Sequence, residues 1–242
     1  MNVSLYQAAA AMNASARWQD LISENLASAS TPGARKRQIA FSAVEAGMNS
    51  AHGASTIPNA SVGINFEPAP LRPTGAPLDF GIDGKGFFQV QLPNGTQAYT
   101  RDGEFHLNAQ GQLITKEGYS VTGAGGPIQV DPSNPAPLTV APTGEVSQGG
   151  DTKGKLQLTE FSDPQKLTSL GQGYFTAGNG ANPSDSTTSQ LHQGYLESSN
   201  TSPTAEMASL ITAMRMFESN QRVMQMQDER SSRTITDLGN PN

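Results

Sequence analysis

The stretch PTAEMASLITAMRMFESNQRVMQMQDERSSRTITDL, residues 203–238, decides the fold class. Met207, Met214 and Ile235 fall on one seven-residue register, and Leu210, Phe217, Met224 and Leu238 fall on another. Gln221, Asp228 and Ser231 leave part of the stripe polar. Seven-residue spacing belongs to a helix that packs lengthwise against other helices. Methionine, with its flexible thioether, suits imperfect contacts repeated between subunits. Thr201, Ser202 or Thr204 can cap its start.

The opposite end of the chain has a weaker helical signal. Leu5, Ala8, Ala9, Met12, Ala16, Ile22 and Leu26 recur at three- and four-residue steps, which predicts one helix over residues 3–29. Its stripe is made largely of alanine. At roughly 25 cal/mol per Å² of apolar surface, such small side chains cannot hold a lone helix, so a partner is required. Thr31-Pro32-Gly33 stops it, because proline disfavours helix in the preceding residue and glycine accepts positive φ. Met1 to Ala16 is apolar enough to suggest a leader. It lacks a basic start, and Tyr6, Gln7 and Asn13 interrupt it, so it reads as a helix kept on the mature protein.

Between these ends the pattern changes to period two. Phe87-Phe88-Gln89-Val90-Gln91-Leu92 has strand composition and runs into the turn Pro93-Asn94-Gly95. Ala98-Tyr99-Thr100, Phe105-His106-Leu107 and Leu113-Ile114-Thr115 follow, separated by Asp102-Gly103 and Asn108-Ala109-Gln110-Gly111. Turn signals at short, regular intervals predict an antiparallel meander. Further strands are expected at Ile128–Val130, Leu138–Val140, Lys155–Phe161 and Gln190–Leu196, with Gly171–Ser189 as a long surface loop. Val44–Pro77, rich in Ala, Gly, Ser, Asn and Pro, reads as a linker or extended arm, with Ile57, Val62, Ile64 and Phe66 leaving room for a strand near its end. The expected organisation is α+β. A helical segment over 1–43 and another over 197–242 pack as a coiled-coil-like unit, an arm covers 44–77, and an all-β antiparallel domain covers 78–196.

Composition narrows the function. Hydrophobic residues make up 35% of the 242, and 25 glycines and 16 prolines favour short strands joined by turns. The net charge of −6 is spread thinly, which argues against nucleic-acid binding. The one basic run, Arg35-Lys36-Arg37, beside a Pro-Gly turn, reads as solvated surface. There is no cysteine, which removes disulfides, thiolate catalysis and Cys-based zinc sites. No segment approaches the roughly 18–20 apolar residues of a membrane span.

The search for chemistry yields little. His52, His106 and His192 are scattered and lack a ligand partner at helical spacing. Gly81-Ile82-Asp83-Gly84-Lys85-Gly86 precedes a strand rather than a helix, so it cannot cradle a phosphate at a helix N-terminus and reads as a tight turn. Asp102, Glu104, Glu145 and Asp151 are the candidates for a glycosidase-type carboxylate pair, but carboxylates beside glycine in turns are common. Two function classes remain: an assembly subunit whose terminal stripes need external burial, or an extracytoplasmic β-domain carbohydrate binder or glycosidase with helical appendages.

Three further segments bear on that choice. They are Leu21-Ile22-Ser23-Glu24-Asn25-Leu26-Ala27-Ser28-Ala29-Ser30-Thr31-Pro32-Gly33; Pro77-Leu78-Asp79-Phe80-Gly81-Ile82-Asp83-Gly84-Lys85-Gly86-Phe87-Phe88 with Tyr99-Thr100-Arg101-Asp102-Gly103; and Gly194-Tyr195-Leu196-Glu197-Ser198-Ser199-Asn200 with Glu206-Met207. In this order the sequence resembles the axial proteins of the bacterial flagellum, the basal-body rod proteins and their relative the hook protein. It departs from them at Ala34, where an aromatic residue is usual, and at Ala10-Ala11-Met12, where a glycine-containing pair is common. The resemblance implies terminal helices lining a tube and a β-rich domain outside them. It also implies export through the flagellar type III apparatus without a cleaved signal peptide, and a periplasmic place in the basal body. Its partners would be further copies and other rod or hook proteins, and the central domain is open to contact with peptidoglycan or bushing proteins. No catalysis and no cofactor follow from it. The assembly seam it implies runs through Leu5, Met12, Ile22, Asn25, Leu26, Met207, Leu210, Met214, Phe217 and Met224, with Asn25 satisfying backbone groups near the end of the first helix.

Overall fold

The structure, a computed structural model, describes residues 3–45, 56–134 and 136–239, with side chains over 7–40, 61–134 and 136–234. The chain divides into two compact units. One contains residues 1–27, 37–65 and 202–242, and the other residues 28–36 and 66–201.

The first unit is built on two helices, α1 (Val3–Ser28) and α2 (Pro203–Gly239), with the hairpin β1 (Arg37–Glu45) and β2 (Thr56–Ile64). Ser202 marks the start of α2: its carbonyl accepts from Glu206 N at 3.0 Å, and Pro203 takes the first helical position, where no N–H is needed. Acidic Glu206 lies in that first turn, on the side of the helix dipole that favours negative charge. The strands β1 and β2 pair antiparallel, from Arg37 opposite Ile64 to Glu45 opposite Thr56. The stretch that reads as an arm from its sequence therefore holds a nine-residue strand on one side of a hairpin and part of its mate. Ala, Ser, Gly and Asn give little strand propensity there, and the pairing partner, not composition, fixes the conformation.

The second unit is the β unit. Its strands are β3 (Leu71–Pro73), β4 (Phe80–Asp83), β5 (Phe87–Gln91), β6 (Gln97–Thr100), β7 (Phe105–Leu107), β8 (Leu113–Thr115), β9 (Ser120–Gly123) and β10 (Gly126–Pro127). They continue with β11 (Leu138–Val140), β12 (Glu145–Gln148), β13 (Asp151–Lys155), β14 (Leu158–Phe161), β15 (Leu167–Gly171), β16 (Tyr174–Ala177), β17 (Pro183–Asp185), β18 (Gln190–Gln193) and β19 (Tyr195–Glu197). The main sheet runs β15-β16-β6-β5-β9-β8-β7, and its described pairs are antiparallel. Strand β14 pairs with β5 and β17, while β11-β12-β13, β18-β4 and β19-β3 form smaller sheets.

Strand alternation explains the Phe87-Phe88 doublet. Successive side chains point to opposite faces, and both rings are buried. Phe88 packs edge-on to Phe105 in a core with Phe80, Val90, Leu113, Val121 and Leu156. Phe87 meets Phe66, Phe161 and Phe175 on the other side. Two-sided burial also explains two departures from the sequence reading. Residues 171–189 are not one surface loop, because Tyr174 and Phe175 are buried in β16 and β16 pairs with β6. Residues 190–196 are not one strand, because the chain turns at Gly194 (φ 78°) and passes from the partner β4 to the partner β3.

Candidate assembly surface

In the helical unit three observations set the two helices side by side and antiparallel. Asn25 Nδ2 donates to Glu206 Oε2 at 3.2 Å, and Gln19 Nε2 donates to the Ala213 carbonyl at 3.3 Å. Further along, Ala9, Met12, Asn13 and Ala16 of α1 line a groove of about 300 Å³ together with Phe217 and Met224 of α2. Moving back along α1 moves forward along α2 at nearly the same rate, so the helices keep register over this length.

The burial pattern of α2 shows which stripe faces inward. Glu206 and Ala213 are buried, and Leu210, Phe217, Asn220, Met224 and Gln227 are half-buried. Their spacing of four and three residues is a heptad seam. Leu210, Phe217 and Met224 therefore belong to the inward register, but their companions are Glu206, Ala213, Asn220 and Gln227. Met207 and Met214, one residue further along, are 51% exposed, and Ile211 between them is 54% exposed. The three form an outward apolar ridge at i, i+4 and i+7. Sequence periodicity puts 207 and 214 at heptad spacing, but a one-residue step is 100° of helix, and burial separates their face from the one turned toward α1.

On α1, Ile22 and Asn25 are buried, and Met12 and Leu26 are half-buried; the Leu5 side chain lies outside the described residues. Asn25 does more than line the seam. Its Oδ1 accepts from Arg37 N at 2.8 Å and its Nδ2 donates to Arg37 O at 2.9 Å, so one amide ties the base of β1 to the last turn of α1. Glu24 pairs with the Arg37 guanidinium beside it.

The β unit contains a second constellation. Glu197, 1% exposed, receives two guanidinium groups: Arg35 Nη2 at 2.8 Å on Oε1 and Arg101 Nη1 at 3.2 Å on Oε2. Ala69 N also donates to Oε1 at 2.8 Å, and Gly33 N donates to the Glu197 carbonyl at 2.8 Å. Arg101 Nη2 reaches the Gly84 carbonyl at 2.8 Å, and its guanidinium lies 4.8 Å from the centre of the Phe87 ring. Burial holds the Arg101 pKa down to about 10; Glu197 pulls it up and nearby Arg35 pushes it further down. Asn200 completes the cluster by accepting from Lys36 N at 2.6 Å and donating to Glu67 O at 3.1 Å. Arg35 thus belongs to no solvated basic patch. Nothing near Arg35 along the chain signals this, because the carboxylate that neutralises it lies 162 positions later. Yet the three segments that carry the family resemblance converge here: Gly33, Arg101, and Glu197 with Asn200. At Gly33 (φ 66°) an added Cβ would sit 2.3 Å from the Arg101 carbonyl carbon, so only glycine fits.

The carboxylates considered for chemistry have local partners. Asp102 pairs with Lys116 at 2.8 Å and accepts from Glu104 N, and burial raises its pKa against those bonds. Glu145 accepts from Thr152, and Asp151 lies 3.9 Å from Lys153. His106 is exposed on β7, His192 lies 4.0 Å from Asp83, and His52 lies outside the described residues. No cluster of three or more His, Cys, Asp or Glu able to hold a metal occurs among the described residues. The glycine-rich 81–86 segment crosses from β4 to β5, and at Gly84 an added Cβ would meet Ser189 Oγ at 2.5 Å. Among the described residues no helix is long and apolar enough to cross a membrane.

Residues 81–148 match the family model described as flagellar hook protein FlgE/F/G D1 domain, and residues 192–237 match that of the flagellar basal body rod FlgEFG protein C-terminal. The chain is 34% identical over 244 residues to a flagellar basal-body rod protein FlgF of Mesorhizobium japonicum, covering 99% of each chain. It is 33% identical to a FlgF of Caulobacter vibrioides, with 92% of each covered. A flagellar basal-body rod protein FlgG of Buchnera aphidicola is 33% identical, with 87% of this chain and 90% of that one covered. With its paired terminal helices, β-rich centre and these full-length likenesses, the chain belongs to the flagellar basal-body rod protein family.

Proposed function

We propose that this chain polymerises through its helical unit and passes torque along the flagellar axis by stiffness alone. Family membership makes it a structural subunit of the basal-body rod and not an enzyme; neither the hook nor the glycosidase reading is favoured. The observation that carries the polymerisation reading is the two-sided α2. One face is used inside the chain at Glu206, Leu210 and Ala213, and the ridge Met207-Ile211-Met214 is left in water. An ordered apolar ridge on a helix of 37 residues is a surface awaiting burial. The groove beside Met12, Phe217 and Met224 offers further apolar surface. A coiled-coil-like layer of helices from successive subunits, export by the type III apparatus and a periplasmic position are parts of the same proposal. So is contact of the β unit with peptidoglycan or a surrounding bushing.

Met214→Asp tests it. The side chain is half in water and outside the intrachain seam, so the isolated chain should keep its stability within about 0.5 kcal/mol. Incorporation into basal bodies and swimming should be lost. A motile strain carrying Met214→Asp at normal levels would remove the ridge from the interface. Leu210→Asp is the contrasting variant, because it strikes the inward face and should also loosen the α1–α2 pair.

A further inference from the structure

Residues 28–36 leave the end of α1, pack into the β unit and lead back out to β1. This strap is held in an unusual way for so buried a segment. Gly33, Ala34 and Arg35 are all buried, yet Ala34 is the one buried hydrophobic residue among the nine. The rest of the grip is polar. Gly33 N donates to Glu197 O, Arg35 binds the Glu197 carboxylate and the Glu67 carbonyl, Lys36 N donates to Asn200 Oδ1, and Asn200 N donates to Ala34 O at 3.4 Å. Four of these five attachments end on Glu197 or Asn200. The core of the same unit is held differently, by Phe80, Phe88, Val90 and Val121, which have no exposed surface.

We propose that Glu197 is a positioning residue that docks the 28–36 strap, and that the strap is a latch able to open while the β core stays folded. Segments with few apolar contacts open at lower free energy than the core they rest on. Removing Arg35 takes away the strap's side-chain hold on the Glu197 carboxylate and the Glu67 carbonyl. Arg101 makes the latch selective. When Arg35 is removed, Glu197 still has a guanidinium partner, so the core keeps a neutralised carboxylate and only the strap loses its hold. The proposal does not depend on the assembly reading.

Hydrogen exchange on the full-length chain tests this. In Arg35→Met, which keeps an apolar stem of similar reach, the Gly33 and Lys36 amides should exchange about a hundredfold faster. Val90 and Leu113 amides, in the core, should stay within about twofold of the parent. Asn200→Ala, which removes strap bonds without touching a charge, should show the same selectivity with a smaller increase. Unchanged strap exchange in both variants overturns the proposal. So does acceleration of strap and core together, including outright unfolding of both variants, because the strap would then be an inseparable part of the core.

Discussion

The helical unit and the β unit solve the problem of burial differently. In the β unit, short strands are fixed because both faces of β5 are covered by aromatic rings, and Phe80 and Phe88 retain no exposed surface. In the helical unit the buried side chains on α1 are small, Ala8, Ala14 and Ser15 beside Leu21 and Ile22, while the larger Met207, Ile211 and Met214 remain half in water. Apolar burial scales with area, so the β unit gains more from its own packing than the helical unit does. A helix pair that still has apolar surface to bury suits the proposed polymer subunit.

This contrast can be broken at several points. The largest effect is expected at Phe88→Ala, which empties the centre of the β core and should cost about 3–5 kcal/mol in denaturant titration. Aromatic near-ultraviolet signals should lose stability while helical signals move far less. Equal shifts in both would show one cooperative body and remove the distinction. Gly33→Ala comes next, because its Cβ would press on the Arg101 backbone at a positive φ; about 1–3 kcal/mol of destabilisation should appear as a lowered Tm of the β unit. A wild-type Tm would mean that the strap adjusts its path at no cost.

The smallest effect concerns Glu160, whose carboxylate accepts from Ser186 at 2.6 Å, Ser189 at 2.9 Å and Thr188 at 3.0 Å. The Ser186 hydroxyl, chiefly, holds its pKa below the usual value, with burial opposing. The stabilisation is therefore fully present above an ordinary glutamate pKa of about 4.3 and is lost as pH falls through the lower folded value. Exchange at the Ser189 amide should rise over that acid range and not above it. A Glu160→Gln chain with an unchanged acid profile would assign the loosening to another group.

Legibility differed by element for physical reasons. The heptad spacing of α2, the stop at Thr31-Pro32-Gly33 and the existence of strands β5 to β8 were readable, because periodicity and turn chemistry are local; their order was not a meander, since β9 lies between β5 and β8 and β6 pairs with β16 instead of β7. Of the hairpin β1–β2 only a strand in the 44–77 stretch was readable, since Ala40, Ser61 and Gly63 carry almost no strand signal and are held by their partners across the ladder. Strand β16 was concealed by the glycines on either side of Tyr174-Phe175. Asn25 stood out in the sequence as a residue with a paired donor and acceptor, but its partners Arg37 and Glu206 depend on how the chain returns.

By itself, then, the sequence determined which segments are helical, that the centre is antiparallel β, and which family the chain resembles. Each rests on residues close together along the chain. Only the tertiary structure decided which of two adjacent heptad registers faces α1 and which stays in water. It alone brought Arg35, Arg101 and Glu197 into one buried cluster. Both outcomes depend on contacts between residues far apart in sequence, where burial and charge compensation select among arrangements that local pattern leaves equivalent.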